Sequence, residues 1–267
     1  MAGNTKALRV RIKSVTSTLQ LTKAMELVAA SKIRRANDAM FKGREYGTSL
    51  ENALGALASS RECAKSPYMQ KRDGERMRII VIAGDRGLAG GYNANVFRLA
   101  KEYSGAEFIP IGKRACERFG KAIVSSEHFS FSDAAALADT LCNDFANGEF
   151  DKLGIIATRY NSVMSQEAFI KWILPLDVTA KEGNASTLFE PDSLTVLNNV
   201  VREYVAGIIT VLARESFASE VSARRMAMDS AGKNARQMIS DLQLEYNRAR
   251  QGAITQEITE IVAGSGN

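Results

Sequence analysis

At 267 residues, 45% apolar and 24% charged, the chain has material for one or two folded domains with a sizeable core. No uninterrupted apolar run approaches the roughly 20 residues that cross a bilayer, the opening MAGNTKALRVRIKSV lacks the apolar stretch of a secretory signal, and Cys63, Cys116 and Cys142 are too few and too scattered for a disulfide framework or a CxxC site. The net charge of +5 is unevenly spread: ten Lys and Arg face three acidic residues up to Glu45, whereas charges balance from Arg202 onward, so the first arm calls for an acidic partner.

The first arm contains no proline before Pro67. Leu8, Ile12, Val15, Leu19, Thr22, Met25, Ala29, Ile33, Ala36 and Met40 recur at spacings of three and four, which predicts a long helix with one narrow apolar seam. A basic helix can track phosphates, and nucleic acid is one reading of it. The positive residues are interrupted by Thr, Ser and Ala, however, and few aromatics are available for stacking, so an acidic protein surface is the expected partner and no nucleic acid is.

The middle changes period. Strands are predicted at Met77 to Ala83, Phe108 to Ile111, Ala122 to Val124, Leu153 to Ala157 and Glu167 to Leu174. Helices are predicted at Tyr92 to Tyr103, Arg114 to Phe119 and Asp133 to Phe145. This alternation implies an α/β layer on a mostly parallel sheet. After the first strand comes Gly84-Asp85-Arg86-Gly87-Leu88-Ala89-Gly90-Gly91, placed like a phosphate-binding turn. Its spacing is neither GxGxxG nor GxxxxGK[ST], so it reads as a tight strand-to-helix turn with Asp85 and Arg86 as polar partners of neighbouring backbone or of another subunit. A nucleotide-dependent enzyme with helical extensions stays open as the alternative. The lone His128 has no nucleophile or acid assembled around it by local motif and reads as a surface residue.

The last arm is proline-free after Pro191. Leu194, Leu197, Val201, Val205, Ile208 and Leu212 form a seam, and Met228, Ala231, Ala235, Met238 and Leu242 continue it with coiled-coil spacing. One continuous helix over some 75 residues would measure roughly 110 Å. The simplest partner for it is the first arm, giving a long antiparallel coiled coil of N- and C-terminal helices beside a central Rossmann-like α/β domain, divided as 1–66, 67–191 and 192–267. Glu215, Glu220, Asp229, Asp241, Glu245, Glu257 and Glu260 lie among arginines, and solvated helix faces explain most of them.

Two segments at opposite ends carry a resemblance: Ile12 to Ala36, IKSVTSTLQLTKAMELVAASKIRRA, and Leu242 to Gly264, LQLEYNRARQGAITQEITEIVAG. Both resemble the gamma subunits of F-type ATP synthases, and GDRGLAGGYN is similar to that family's SxDRGLCGGxN turn, with Ala89 where cysteine is common. The resemblance implies a non-catalytic rotor shaft, without metal or bound cofactor, that couples ion flow to ATP synthesis and hydrolysis. It implies three alpha and three beta subunits around the shaft, and an epsilon subunit and a ring of c subunits at its foot. The membrane is then reached only through partners. The short central part and the MAGN start imply a bacterial member at the cytoplasmic face of the plasma membrane.

Residue by residue, KAMELVAASK implies that Lys23 and Met25 face the acidic lever loop of a beta subunit. RARQ and ITQEITE imply that Arg250, Gln251, Gln256, Thr259 and Glu260 make polar contacts with alpha and beta subunits. Tyr204 aligns with the foot near the c ring, although Ala206 and Gly207 depart from the more polar pattern there. Past the start of the first arm, Ile254, Ile258, Ile261 and Val262 are expected to form an apolar bearing tip.

Overall fold

The computed structural model describes residues 2–58, 60–177 and 189–264. The chain divides into two compact units, one of Ala30–Arg224 and one of the residues before Ala30 together with those after Arg224. Helices α1 (Ala2–Ala58) and α5 (Ser193–Gly264) contribute to both. Neither contains a proline, and hydroxyl side chains inside α1 turn back onto its own carbonyls, as Thr16 Oγ1 does to Ile12 O at 2.8 Å.

The larger unit is built on strands β1 (Met77–Ile82), β2 (Glu107–Ile111), β3 (Lys152–Tyr160) and β4 (Gln166–Leu174), in the order β2-β1-β3-β4. β1 runs parallel to β2 and β3, and β4 returns antiparallel to β3. Helices α2 (Tyr92–Glu102) and α3 (Lys113–Phe119) lie on one face, and α4 (Phe131–Ala146) on the other. Both faces are covered, which is why β1 reads as the unbroken run MRIIVI. Ile79 and Val81 pack with Val96, Ala100 and Ala115. Ile80 and Ile82 pack the opposite way, with Leu141 and Phe145 of α4 and with Val201, Val205 and Ile209 of α5. α4 starts on a reciprocal capping box between Ser130 and Asp133. α5 also holds a window apolar enough to cross a membrane by composition, most of it buried in this core.

One expected strand is absent. Among the described residues Ala122 to Val124 pairs with no strand, and Ile123 is exposed. Only ten residues separate it from Ile111, fewer than the dozen or so that a parallel crossover needs to return to a sheet. The segment instead lies beside α3, where Gly112 N–H donates to Val124 O at 2.9 Å.

The smaller unit is an antiparallel coiled coil. Arg9 of α1 donates to the Tyr246 hydroxyl of α5 at 2.7 Å, while Gly232 lies against Thr22 and Leu19. The seam runs through Leu8, Ile12, Val15, Leu19, Thr22, Glu26 and Ala29 on α1, and Met228, Gly232, Ala235, Ile239, Leu242, Tyr246, Ala249 and Ala253 on α5, with Thr16, Asp229 and Ala231 half-buried at its sides. Both sets alternate steps of three and four without a break. The expected seam therefore slips by one residue in places: Met25 and Met238 are 42% and 44% exposed, Glu26 and Ile239 take their inward positions, and Gly232 is buried beside the half-buried Ala231. Position in the heptad outweighs side-chain character. Glu26 tolerates its place because its carboxylate reaches outward to Lys23 Nζ at 3.1 Å.

Candidate functional site

The glycine turn follows β1, whose neighbours β2 and β3 lie on opposite sides, so it sits at the switch point where open α/β sheets take their ligands. Here α5 fills that position. A Cβ on Gly84 would come within 2.6 Å of Glu220 Cδ, so the carboxylate of Glu220 lies directly on the turn. Arg224 donates to Glu220 Oε1 at 2.5 Å and to Gly87 O at 3.4 Å. Tyr92 adds a third tie, its hydroxyl donating to Ser216 O at 3.0 Å. A phosphate would meet a buried carboxylate, so the turn is a docking point for α5.

Asp85 is the polar hub of the turn. Its Oδ1 accepts Lys113 N–H at 3.0 Å and Ser126 N–H at 2.9 Å, and its Oδ2 accepts Glu127 N–H at 3.2 Å and the Ser125 hydroxyl. Burial by itself would raise this carboxyl, yet the hydrogen bonds from Ser125, Lys113, Ser126 and Glu127 hold it below its ordinary value. Glu220 is shifted the other way, because burial dominates and the Arg224 guanidinium only partly offsets it. Leu88, in the same turn, has φ 63° and is largely exposed.

Two of the carboxylates expected on solvated faces are buried. Besides Glu220, Glu215 accepts Arg44 Nη2 at 2.6 Å and Tyr160 N–H at 3.0 Å. Their i, i+5 spacing gives no cue by itself; what marks them is the run of small polar residues Ser216, Ser219 and Ser222 between and beside them, all buried in α5. Ser216 and Ser219 bond the β3 backbone at Thr158, Ser216 Oγ accepting its N–H at 3.0 Å. The remaining sequence signal at this junction was Asp85, whose partnership with neighbouring backbone was expected and is found.

The other candidate residues lie elsewhere. In the coiled-coil unit Lys23, Met25, Arg250, Gln251, Gln256, Thr259 and Glu260 are all exposed, as are Ile254, Ile258, Ile261 and Val262. Gln256 Nε2 donates to Glu260 Oε1 at 2.8 Å along the same face. Thr259 Oγ1 is turned onto Thr255 O at 2.8 Å. In the larger unit Tyr204 is 7% exposed and belongs to the main core, and burial pushes its hydroxyl up to about 12. His128 is exposed.

A family model described as ATP synthase matches residues 4–266. ATP synthase gamma chains from Ruminococcus albus, Cupriavidus pinatubonensis and Geotalea uraniireducens are 39%, 37% and 35% identical, each alignment covering at least 97% of both chains. The chain belongs to the gamma-chain family of ATP synthase. Among solved structures, a chain of the Euglena gracilis mitochondrial ATP synthase (OSCP/F1/c-ring) aligns with a TM-score of 0.71 over 99% of this chain and 94% of that one, at 18% identity. A chain from the central stalk and c-ring of the Tetrahymena thermophila mitochondrial enzyme aligns at 0.62 over 79% of this chain and 99% of that one, at 20% identity. These likenesses carry the fold. Membership in the family makes the chain the rotor of the central stalk, a non-catalytic, peripheral subunit of a membrane-associated complex.

Proposed function

We propose that this chain turns inside a ring of three alpha and three beta subunits and transmits the rotation of a c-subunit ring, with an epsilon subunit at its foot, on the cytoplasmic face of a bacterial plasma membrane. In this reading the functional parts are a first shaft helix (1–66), an α/β foot domain (67–191) and a second shaft helix (192–267). The observation that carries it is the end of α5: no position beyond Ala253 is buried among the described residues, and Ile254, Ile258, Ile261 and Val262 are all about half exposed or more. An isolated protein gains nothing from such a stripe, whereas a surrounding sleeve does. Apolar contacts are non-directional, so a sleeve of this kind permits turning.

Torque requires the opposite chemistry. Lys23, Met25, Arg250, Gln251, Gln256, Thr259 and Glu260 point outward and offer contacts that differ between the three catalytic interfaces at any angle. Moving one interface from 1:99 to 99:1 between two conformations takes about 5.5 kcal/mol of differential interaction, within reach of a few charge-assisted bonds. Tyr204 is buried, so any part it takes at the c ring passes through the packing of the foot. Arg250→Ala in the assembled complex is expected to remove about 1.5 to 3 kcal/mol of angle-dependent interaction and to lower ATP turnover without preventing assembly. Unchanged synthesis and hydrolysis in the assembled variant would remove Arg250 from this role.

A further inference from the structure

The larger unit contains a cleft of about 670 Å³ between α1, α5 and the segment that follows α3. Its size falls in the range of small-molecule sites and well above what a bare inorganic anion fills. Arg35 of α1 and Arg214 of α5 line it from two sides, both exposed, and among the described residues neither guanidinium has an acidic or carbonyl partner. The third wall is held by Asp85, which fixes the backbone of Ser126 and Glu127. There Glu127 is paired with Lys32, and His128 stands exposed at the rim. Counting Lys32, Arg35 and Arg214 against Glu127, the lining is left positive.

Ser126 supplies an independent sign. The residue is 8% exposed, lines the cleft, and its hydroxyl has no hydrogen-bond partner among the described residues. A buried hydroxyl without a partner is uncommon and costs free energy unless something else satisfies it. The half-buried rings of Phe129 and Phe217 complete the lining with apolar surface. We propose that this cleft binds a phosphorylated small molecule of about nucleotide size, its phosphate between Arg35, Arg214 and Ser126 and its organic part against Phe129 and Phe217. Planar guanidiniums offer paired donors that match phosphate oxygens, and the ring faces accept a flat heterocycle. The site lies apart from the space over Gly84 that Glu220 fills, and it does not depend on the coupling role proposed above.

Calorimetry on the full chain, titrated separately with ADP, inorganic phosphate and adenosine, tests this. Saturable one-to-one binding of ADP, weaker binding of phosphate and none of adenosine is the expected pattern. Arg35→Ala and Arg214→Ala are each expected to weaken ADP about tenfold or more, because each removes a charged donor, and Ser126→Ala several-fold. Both arginines are exposed, so unchanged circular dichroism is expected to accompany these losses. Absence of binding by ADP and phosphate, equal affinity for the two, or full affinity in the Arg35→Ala/Arg214→Ala double variant would each overturn the assignment. None of these outcomes bears on the coupling role, which is read from turnover of the assembled complex.

Discussion

At the scale of single residues, the junction that the glycine turn makes with α3 and α5 depends on groups with no tolerance for change. Gly112 has φ 99°, and a Cβ there would lie 1.9 Å from Ala83 O, a backbone atom that cannot step aside. Gly112→Ala is therefore expected to cost at least about 2 to 3 kcal/mol in urea unfolding, combining a left-handed conformation with a clash. Glu220 makes the same junction sensitive to pH. Burial raises its carboxyl in the folded protein, so over the window from the ordinary carboxylate value up to the raised one the folded state holds a proton that the unfolded chain has released. Its contribution to stability is present below that window and is lost as pH rises through it. Denaturant midpoints measured as pH rises above the ordinary carboxylate value should fall for the parent chain and stay flatter for Glu220→Gln, in which no proton is exchanged. Asp85 was legible in the sequence as a polar partner of nearby backbone. Glu220 was not, because helical periodicity assigns a face to a residue but not what that face meets.

At the scale of elements, the two long helices were visible from the absence of proline and from apolar spacing, yet the inward positions differ from those expected at Met25 and Met238. The heptad fixes the seam by geometry, and a methionine one position away is left outside while a glutamate or glycine is taken in. The helix glycines then separate into two kinds. Gly232 has its nearest neighbour, Thr22 Oγ1, at 3.7 Å, an ordinary contact, so Gly232→Ala should stabilise the coiled coil by about 1 kcal/mol through helix propensity. At Gly207 a Cβ would meet Leu50 Cδ1 at 2.3 Å and Tyr46 at 3.1 Å, so the same substitution should yield no gain. Hydrogen exchange of amides in 228–246 for the first variant and thermal unfolding for the second distinguish the two. The missing strand at Ala122 to Val124 follows from connection length, a constraint that residue composition does not carry.

At the scale of the whole molecule, the exposed tip separates stability from assembly. Ile258 and Ile261 are 56% and 70% exposed, so Ile258→Asp or Ile261→Asp should leave the melting temperature of the isolated chain nearly unchanged while weakening association with an alpha/beta ring. Normal assembly and coupling in both variants would contradict an apolar sleeve, and analytical ultracentrifugation with ATPase assays reads both outcomes. The sequence by itself determined the two proline-free helices, the α/β alternation between them, the charge imbalance of the first arm and the membership carried by segments at its two ends. All of these depend on local spacing or on residue identity, which a linear chain displays. The tertiary structure alone decided that Glu220 and Arg224 close the glycine turn, that Glu215 is buried against Arg44, that Tyr204 lies in the core, and that Arg35, Arg214 and Ser126 share one cleft. Those pairings join residues up to 179 positions apart, from Arg35 to Arg214, and no periodicity along the chain encodes them. They arise when helices at its two ends pack against the sheet between them, because burying apolar faces brings along whatever polar groups lie beside them.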